Sequence, residues 1–214
     1  MITVKQMQKL DRLAHKQGVF TADLMENAGR EVFKAVKEKY DLVGRDVIIF
    51  AGTGNNAGDG FVAARYFSQE VPVVVLFFGD KEKLSEEAKD NYDQINDSIT
   101  IVKITSKEDL ENFHFQPNHE LILIDALLGT GIEGRVREPV ALGIDYFNSL
   151  NGEKIAVDVP SGVNPDTGEE ADKVCRVNLI ITLHDIKVGL VKFKDKTVIV
   201  DIGIPIQLLP SSAS

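Results

Sequence analysis

Apolar residues in the first forty positions recur at helical spacing; from residue 46 onward they gather into short, dense runs. Thr3 and Gln6 have the spacing of a capping box, in which a hydroxyl and an amide satisfy each other's backbone N–H groups, and predict a helix running to about Lys16 and stopping at Gly18. A second helix is predicted from near Thr21, because Leu24, Ala28, Val32, Ala35 and Val36 keep one apolar stripe. The pattern then changes. Residues 46–51 (DVIIFA), 71–78 (VPVVVLFF), 121–124 (LILI), 154–159 (KIAVDV), 178–183 (NLIITL) and 197–202 (TVIVDI) read as strands. Their near-continuous apolar character requires burial on both faces, as in a largely parallel sheet. Helical patterns fall between most of them, at 61–69, 85–96, 106–112 and 139–150. Alternating strands and helices predict an α/β fold, a three-layer αβα Rossmann-like sandwich, with the two leading helices packed on one side.

Length and charge narrow this picture. The 214 residues suit one domain spanning the whole chain, and no internal boundary is visible. A net charge of −9 repels a nucleic-acid backbone, so nucleic acid is not the expected partner. Backbone N–H groups can still bind a small anion. The lone Cys175 cannot form an internal disulfide and reads as a packed thiol. No apolar run approaches a membrane span, and no signal-peptide core follows Met1; a soluble, cytoplasmic protein is expected.

Polar clusters stand at three predicted strand ends, where parallel sheets bind ligands. The first is Gly52–Gly60, GTGNNAGDG, read as a loop that cradles phosphates. Its glycines fit G-x-G-x-x-A, and Asp80 stands where a ribose-binding acid would, disfavouring a 2′-phosphate by repulsion. The plain alternative is a glycine-rich turn. A dinucleotide fingerprint does not, however, call for Asn55, Asn56 and Asp59. These oxygens, with Asp125 and the Ser161 hydroxyl, suit a hard cation, whereas singly each is equally a turn or capping residue. The second cluster, Gly129–Arg135, repeats the anion-binding logic with three glycines and an arginine. The third places Asp158 beside the rigid Pro160 turn, as an acid/base or as a structural carboxylate. Lys187 reads as a surface lysine, and His184 as a residue that could line the pocket.

Taken together, LMENAG (24–29), GTGNNAGDGFVAARYF (52–67), DALLGTGIEGRVREP (125–139) and DVPSGVNPDTG (158–168) resemble the YjeF N-terminal domain family, the NAD(P)H-hydrate epimerases, over most of the chain. The resemblance implies an enzyme, an isomerase that equilibrates the R and S forms of hydrated NADH or NADPH (NADHX, NADPHX). It implies a homodimer, here in the form without a dehydratase domain, with a separate dehydratase repairing the S form. Carried over, Asn55, Asn56, Ala57, Gly58 and Asp59, with Gly129, Thr130, Gly131, Ile132, Glu133, Gly134 and Arg135, would contact the hydrate. Asp158 would contact it and serve as the catalytic acid/base. Asn56, Asp125 and Ser161 would hold a potassium ion. One departure stands out: the family usually shows NNGGDG, and Ala57 replaces the first of those glycines, a change expected to be harmless if the position needs only a small residue. Two other readings follow from the same residues, an NAD(P)-dependent oxidoreductase and a non-catalytic binding module.

Overall fold

A computed structural model describes residues 1–113, 119–131 and 134–205. Ile132 and Glu133 therefore lie outside the described residues. The Thr3 capping box forms, with the Thr3 N–H donating to Gln6 Oε1 at 2.8 Å and the Gln6 N–H to Thr3 Oγ1 at 3.2 Å. It opens α1 (Val4–Lys16), and α2 follows at Thr21–Lys39.

Seven strands form one parallel sheet: β1 (Arg45–Ala51), β2 (Val73–Phe77), β3 (Thr100–Lys103), β4 (Glu120–Ala126), β5 (Glu153–Val157), β6 (Leu179–Leu183) and β7 (Thr197–Val200). The order is β3-β2-β1-β4-β5-β6-β7, so β1 lies between β2 and β4, and the winding reverses there. Between the strands run α3 (Asn55–Phe67), α4 (Glu86–Asn96), α5 (Lys107–Asn112) and α6 (Val140–Ser149).

Strand alternation sorts side chains into two cores. Val47, Ile49 and Ala51 of β1 face α1, α2, α3 and α4; Ile48 and Phe50 face α6 and the segment after β5. Phe50 stacks on Phe78 (ring centroids 5.8 Å apart) and meets Phe147 edge-on (5.1 Å). Burying an aromatic ring of this kind contributes roughly 1.5–3 kcal/mol. Among the described residues no helix is long and apolar enough to cross a membrane.

Two readings of the sequence need correction. β3 was not among the predicted strands; it is four residues long, at the sheet edge and only half-buried, so its apolar signal is weak. The segment Gly52–Gly60 is not a loop throughout. Gly54 is the N-cap of α3, and Asn55 to Gly60 form its first turns rather than a lead-in to a helix starting at Phe61. Two glycines there look unhelical by propensity, but close packing prevails: a Cβ on Gly58 would stand 2.4 Å from Met25 Sδ of α2. Ala57 is fully buried in helical backbone, so it needs no left-handed conformation and fits without strain.

Candidate functional site at the β1–β4 switch point

A doubly wound sheet opens a crevice where the winding reverses, beyond the carboxyl ends of the strands. Here that crevice is held tight. A Cβ on Gly52, just past β1, would lie 2.0 Å from the Leu127 carbonyl just past β4. Above it lies a cavity of about 620 Å³, the size of an ordinary small-molecule site. Asn55, Asn56 and Asp59 from α3, Gly129–Gly131 after β4, Asp158 after β5 and Lys187 after β6 line it. Asp11 of α1 lines it too.

Asp158 is placed by a tight turn. Its φ is +62°, in the left-handed region that non-glycine residues avoid, and the Val159 N–H donates back to the Val157 carbonyl at 2.8 Å. The end of β6 repeats the device: His184 has φ +68°, and the Asp185 N–H donates to the Leu183 carbonyl at 2.8 Å. Backbone held this way costs on the order of 1–3 kcal/mol and persists where the surroundings enforce it. The two turns bring Asp158 and Lys187 together. Lys187 is 1% exposed and ion-paired to Asp158 Oδ1, correcting the surface reading. The Leu183 N–H (3.0 Å) and Thr182 Oγ1 (3.2 Å) donate to the same oxygen. Lys187 Nζ also donates to the Leu183 carbonyl at 2.8 Å. No hydrogen bond from the described residues reaches Asp158 Oδ2. One carboxylate oxygen of this cavity-lining residue is thus clamped by three donors.

The neighbouring carboxyls are perturbed. Burial, and next the charge of Asp158, push Asp59 well above the usual carboxylate range. Burial also raises Asp11, against a lowering by Lys187. Both hold protons to higher pH than a solvated aspartate.

Beneath the cavity lies a second polar network. Asp125 is fully buried; its oxygens accept from the Ser161 hydroxyl (2.6 Å), the Ser161 N–H (2.8 Å) and the Leu127 N–H (3.2 Å). Ser161 Oγ accepts from the Leu128 N–H at 2.8 Å, and Asn56 Nδ2 donates to the Leu128 carbonyl at 3.0 Å. Asn56 Oδ1 is buried and has no partner among the described residues. A buried acceptor without a donor is costly, and it calls for a cation or a water. The donors gathered here are a carboxylate, an amide oxygen and a hydroxyl. Such a set could hold a hard monovalent cation; among the described residues no cluster of three or more His, Cys, Asp or Glu stands ready for a metal. Cys175 is buried, and burial pushes its thiol well above the ordinary value. It is a packed thiol.

The residues singled out from the sequence thus divide. Asn55, Asn56, Asp59, Gly129, Thr130, Gly131 and Asp158 line the cavity; Asp125 and Ser161 lie in the network with Asn56. Ala57 and Gly58 turn to the core and to α2 instead. Arg135 lines a neighbouring cavity and ion-pairs with Asp172 at 3.0 Å. His184 is absent from the described lining; its Nε2 is buried without a partner among the described residues, and burial lowers its pKa. Asp11 escaped the sequence reading, although an acid four residues after Met7, beside buried Leu10 and Ala14, was a visible signal of a polar group on an apolar face.

A seven-stranded parallel sheet with a polar cavity at its switch point defines a Rossmann-like α/β protein. Residues 21–189 match the family described as "YjeF-related protein N-terminus", and the chain belongs to that family. It is 38% identical over 198 residues to a protein of Nitrosopumilus maritimus named NAD(P)H-hydrate epimerase, covering 92% of this chain and 90% of that one. It is 36% identical to the bifunctional NAD(P)H-hydrate repair enzyme Nnr of Methanopyrus kandleri, over 91% of this chain and 39% of that enzyme. The crystal structure of yeast YNL200c has the same fold, with a TM-score of 0.82 at 23% identity, covering 97% of this chain and 91% of that one.

Proposed function

We propose that the protein is an NAD(P)H-hydrate epimerase, interconverting the R and S forms of NADHX and NADPHX ahead of a separate dehydratase. The observation that carries this reading is the half-clamped Asp158: one oxygen is tied by three donors, and the residue lines the cavity at the switch point.

Epimerisation at the hydrated ring carbon requires its C–O bond to break and re-form on the other face. The ring-nitrogen lone pair expels the oxygen as water once a proton reaches it, leaving an iminium-like cation. Water then adds to the opposite face and gives up a proton. Asp158 Oδ2 is suited to carry that proton in both directions, so no atom or electron is gained overall. The carboxylate also stabilises the cation, and fixed groups do this without reorganising. Lys187 does not touch the reacting atoms in this scheme; it positions Asp158. Asn56, Asp125 and Ser161 would hold potassium, which would neutralise Asp125 and tie α3 to the loops after β4 and β5.

The test supplies R-NADHX to an S-specific dehydratase with its nucleotide, with and without this protein. Faster consumption of the R form is expected, lost on Asp158→Asn by about 10²–10⁴-fold, and reduced when tetramethylammonium replaces potassium. No acceleration by the folded wild-type chain would sink the reading.

A further inference from the structure

The two cavities at the sheet's carboxyl edge differ sharply in charge. In the first, the only cation among the described lining residues is Lys187, and it is committed to Asp158; three carboxyl groups surround it. A phosphate placed there would meet carboxylates and no free cation. The second cavity, about 500 Å³, shares Thr53, Leu128, Gly131 and Val140 with the first, so one ligand can reach from one into the other. It is lined by Lys83, Lys103, Arg135 and Arg137 against Asp80 and Glu138. This is a local positive excess on a chain of net charge −9. Lys103 reaches Asp80 at only 3.4 Å, and among the described residues neither Lys83 nor Arg137 makes an ion pair. Asp80 is thus partnered and outnumbered, which offsets the repulsion of a 2′-phosphate expected from it.

We propose that the second cavity is the seat of the phosphate-bearing adenosine end of the substrate, with Lys103 and Arg137 gripping a 2′-phosphate, so that the 2′-phosphorylated hydrate is the preferred one. This rests on the epimerase reading and adds the substrate's orientation. The hydrated ring, which becomes cationic, lies among the carboxyls by Asp158; the anionic tail crosses Thr53 and Gly131 into the basic cavity. Guanidinium and ammonium groups around a phosphate form charge-assisted hydrogen bonds, which are the strong ones.

The test uses binding and turnover separately. Calorimetric titration of the full chain with ADP-ribose and with its 2′-phosphate needs no catalysis. The 2′-phosphate is expected to bind about tenfold more tightly, with an advantage that shrinks in high salt. Lys103→Ala with Arg137→Ala, both at exposed positions, is expected to abolish that advantage and leave ADP-ribose binding within about twofold. In turnover, the same variant is expected to raise KM for NADPHX about tenfold while kcat and the NADHX parameters hold. Equal binding of the two ligands by the wild type, or an unchanged preference in the variant, would overturn the proposal. A wild-type chain that prefers the 2′-phosphate but epimerises neither hydrate would overturn the epimerase reading alone.

Discussion

Asp158 and Lys187 show how a residue's meaning depends on what meets it. Lysine in HDIKVGL is ordinary surface composition, and nothing in the local sequence announces that two left-handed turns will fold it under Asp158. Asp125, Asp158 and Ser161 were legible because each stands at or just past a strand end, where the fold class alone places ligand sites. Removing Lys187 strands a buried carboxylate, which costs roughly 3–5 kcal/mol. Lys187→Met is therefore expected to lower kcat on the order of 10²-fold through misplacement. Lys187→Arg should recover part of the rate, and pairing Lys187→Met with Asp158→Asn should recover stability without activity. A Met variant with wild-type kcat would show that Lys187 is only packing.

At the scale of elements, the strands were readable wherever burial on both faces made them continuously apolar, and β3 was lost because an edge strand is not buried that way. The start of α3 was hidden because its glycines serve close contacts, Gly58 with Met25 of α2 and Gly60 with Ala126 of β4, rather than helix propensity. Gly52 serves a different purpose, letting the ends of β1 and β4 approach. Gly52→Ala would force its Cβ onto the Leu127 carbonyl and is expected to destabilise the protein by about 1–3 kcal/mol in urea unfolding. Gly54→Ala, whose Cβ would meet nothing within 4 Å, is the matched control and should lose less than about 1 kcal/mol. Equal losses at the two positions would contradict the close-approach account.

For the whole molecule, the acidic site works against stability at neutral pH. The folded-state pKa values of Asp59 and Asp11 are raised above the unfolded ones, so their favourable contribution is fully present below the unfolded value, about pH 3.9, and is lost as pH rises through the folded value. Asp109 and Asp172, held down by backbone and side-chain donors, act in the opposite window, losing their contribution only as pH falls below the ordinary range. Asp59→Asn is thus expected to be more stable than the wild type at pH 8, with the gap in urea midpoints closing toward pH 5. A gap independent of pH would contradict this. Strand order, unlike strand existence, was not legible: which strands flank β1 is decided by crossovers that leave no mark on any single segment.

The N-terminal segment is stitched beside Lys187: the Ile2 N–H donates to the Ile186 carbonyl at 2.9 Å and the Val188 N–H to the Ile2 carbonyl at 3.2 Å. Residue 2 is thereby joined to a segment more than 180 positions further along the sequence. Pairing of β1 with β2 and β4 shapes the crevice by itself, yet Asp158 stays unclamped until Lys187 lies beneath it. The clamp on Asp158 thus depends on a contact of long sequence separation, and loosening of the first residues is expected to free Lys187 before the sheet itself opens.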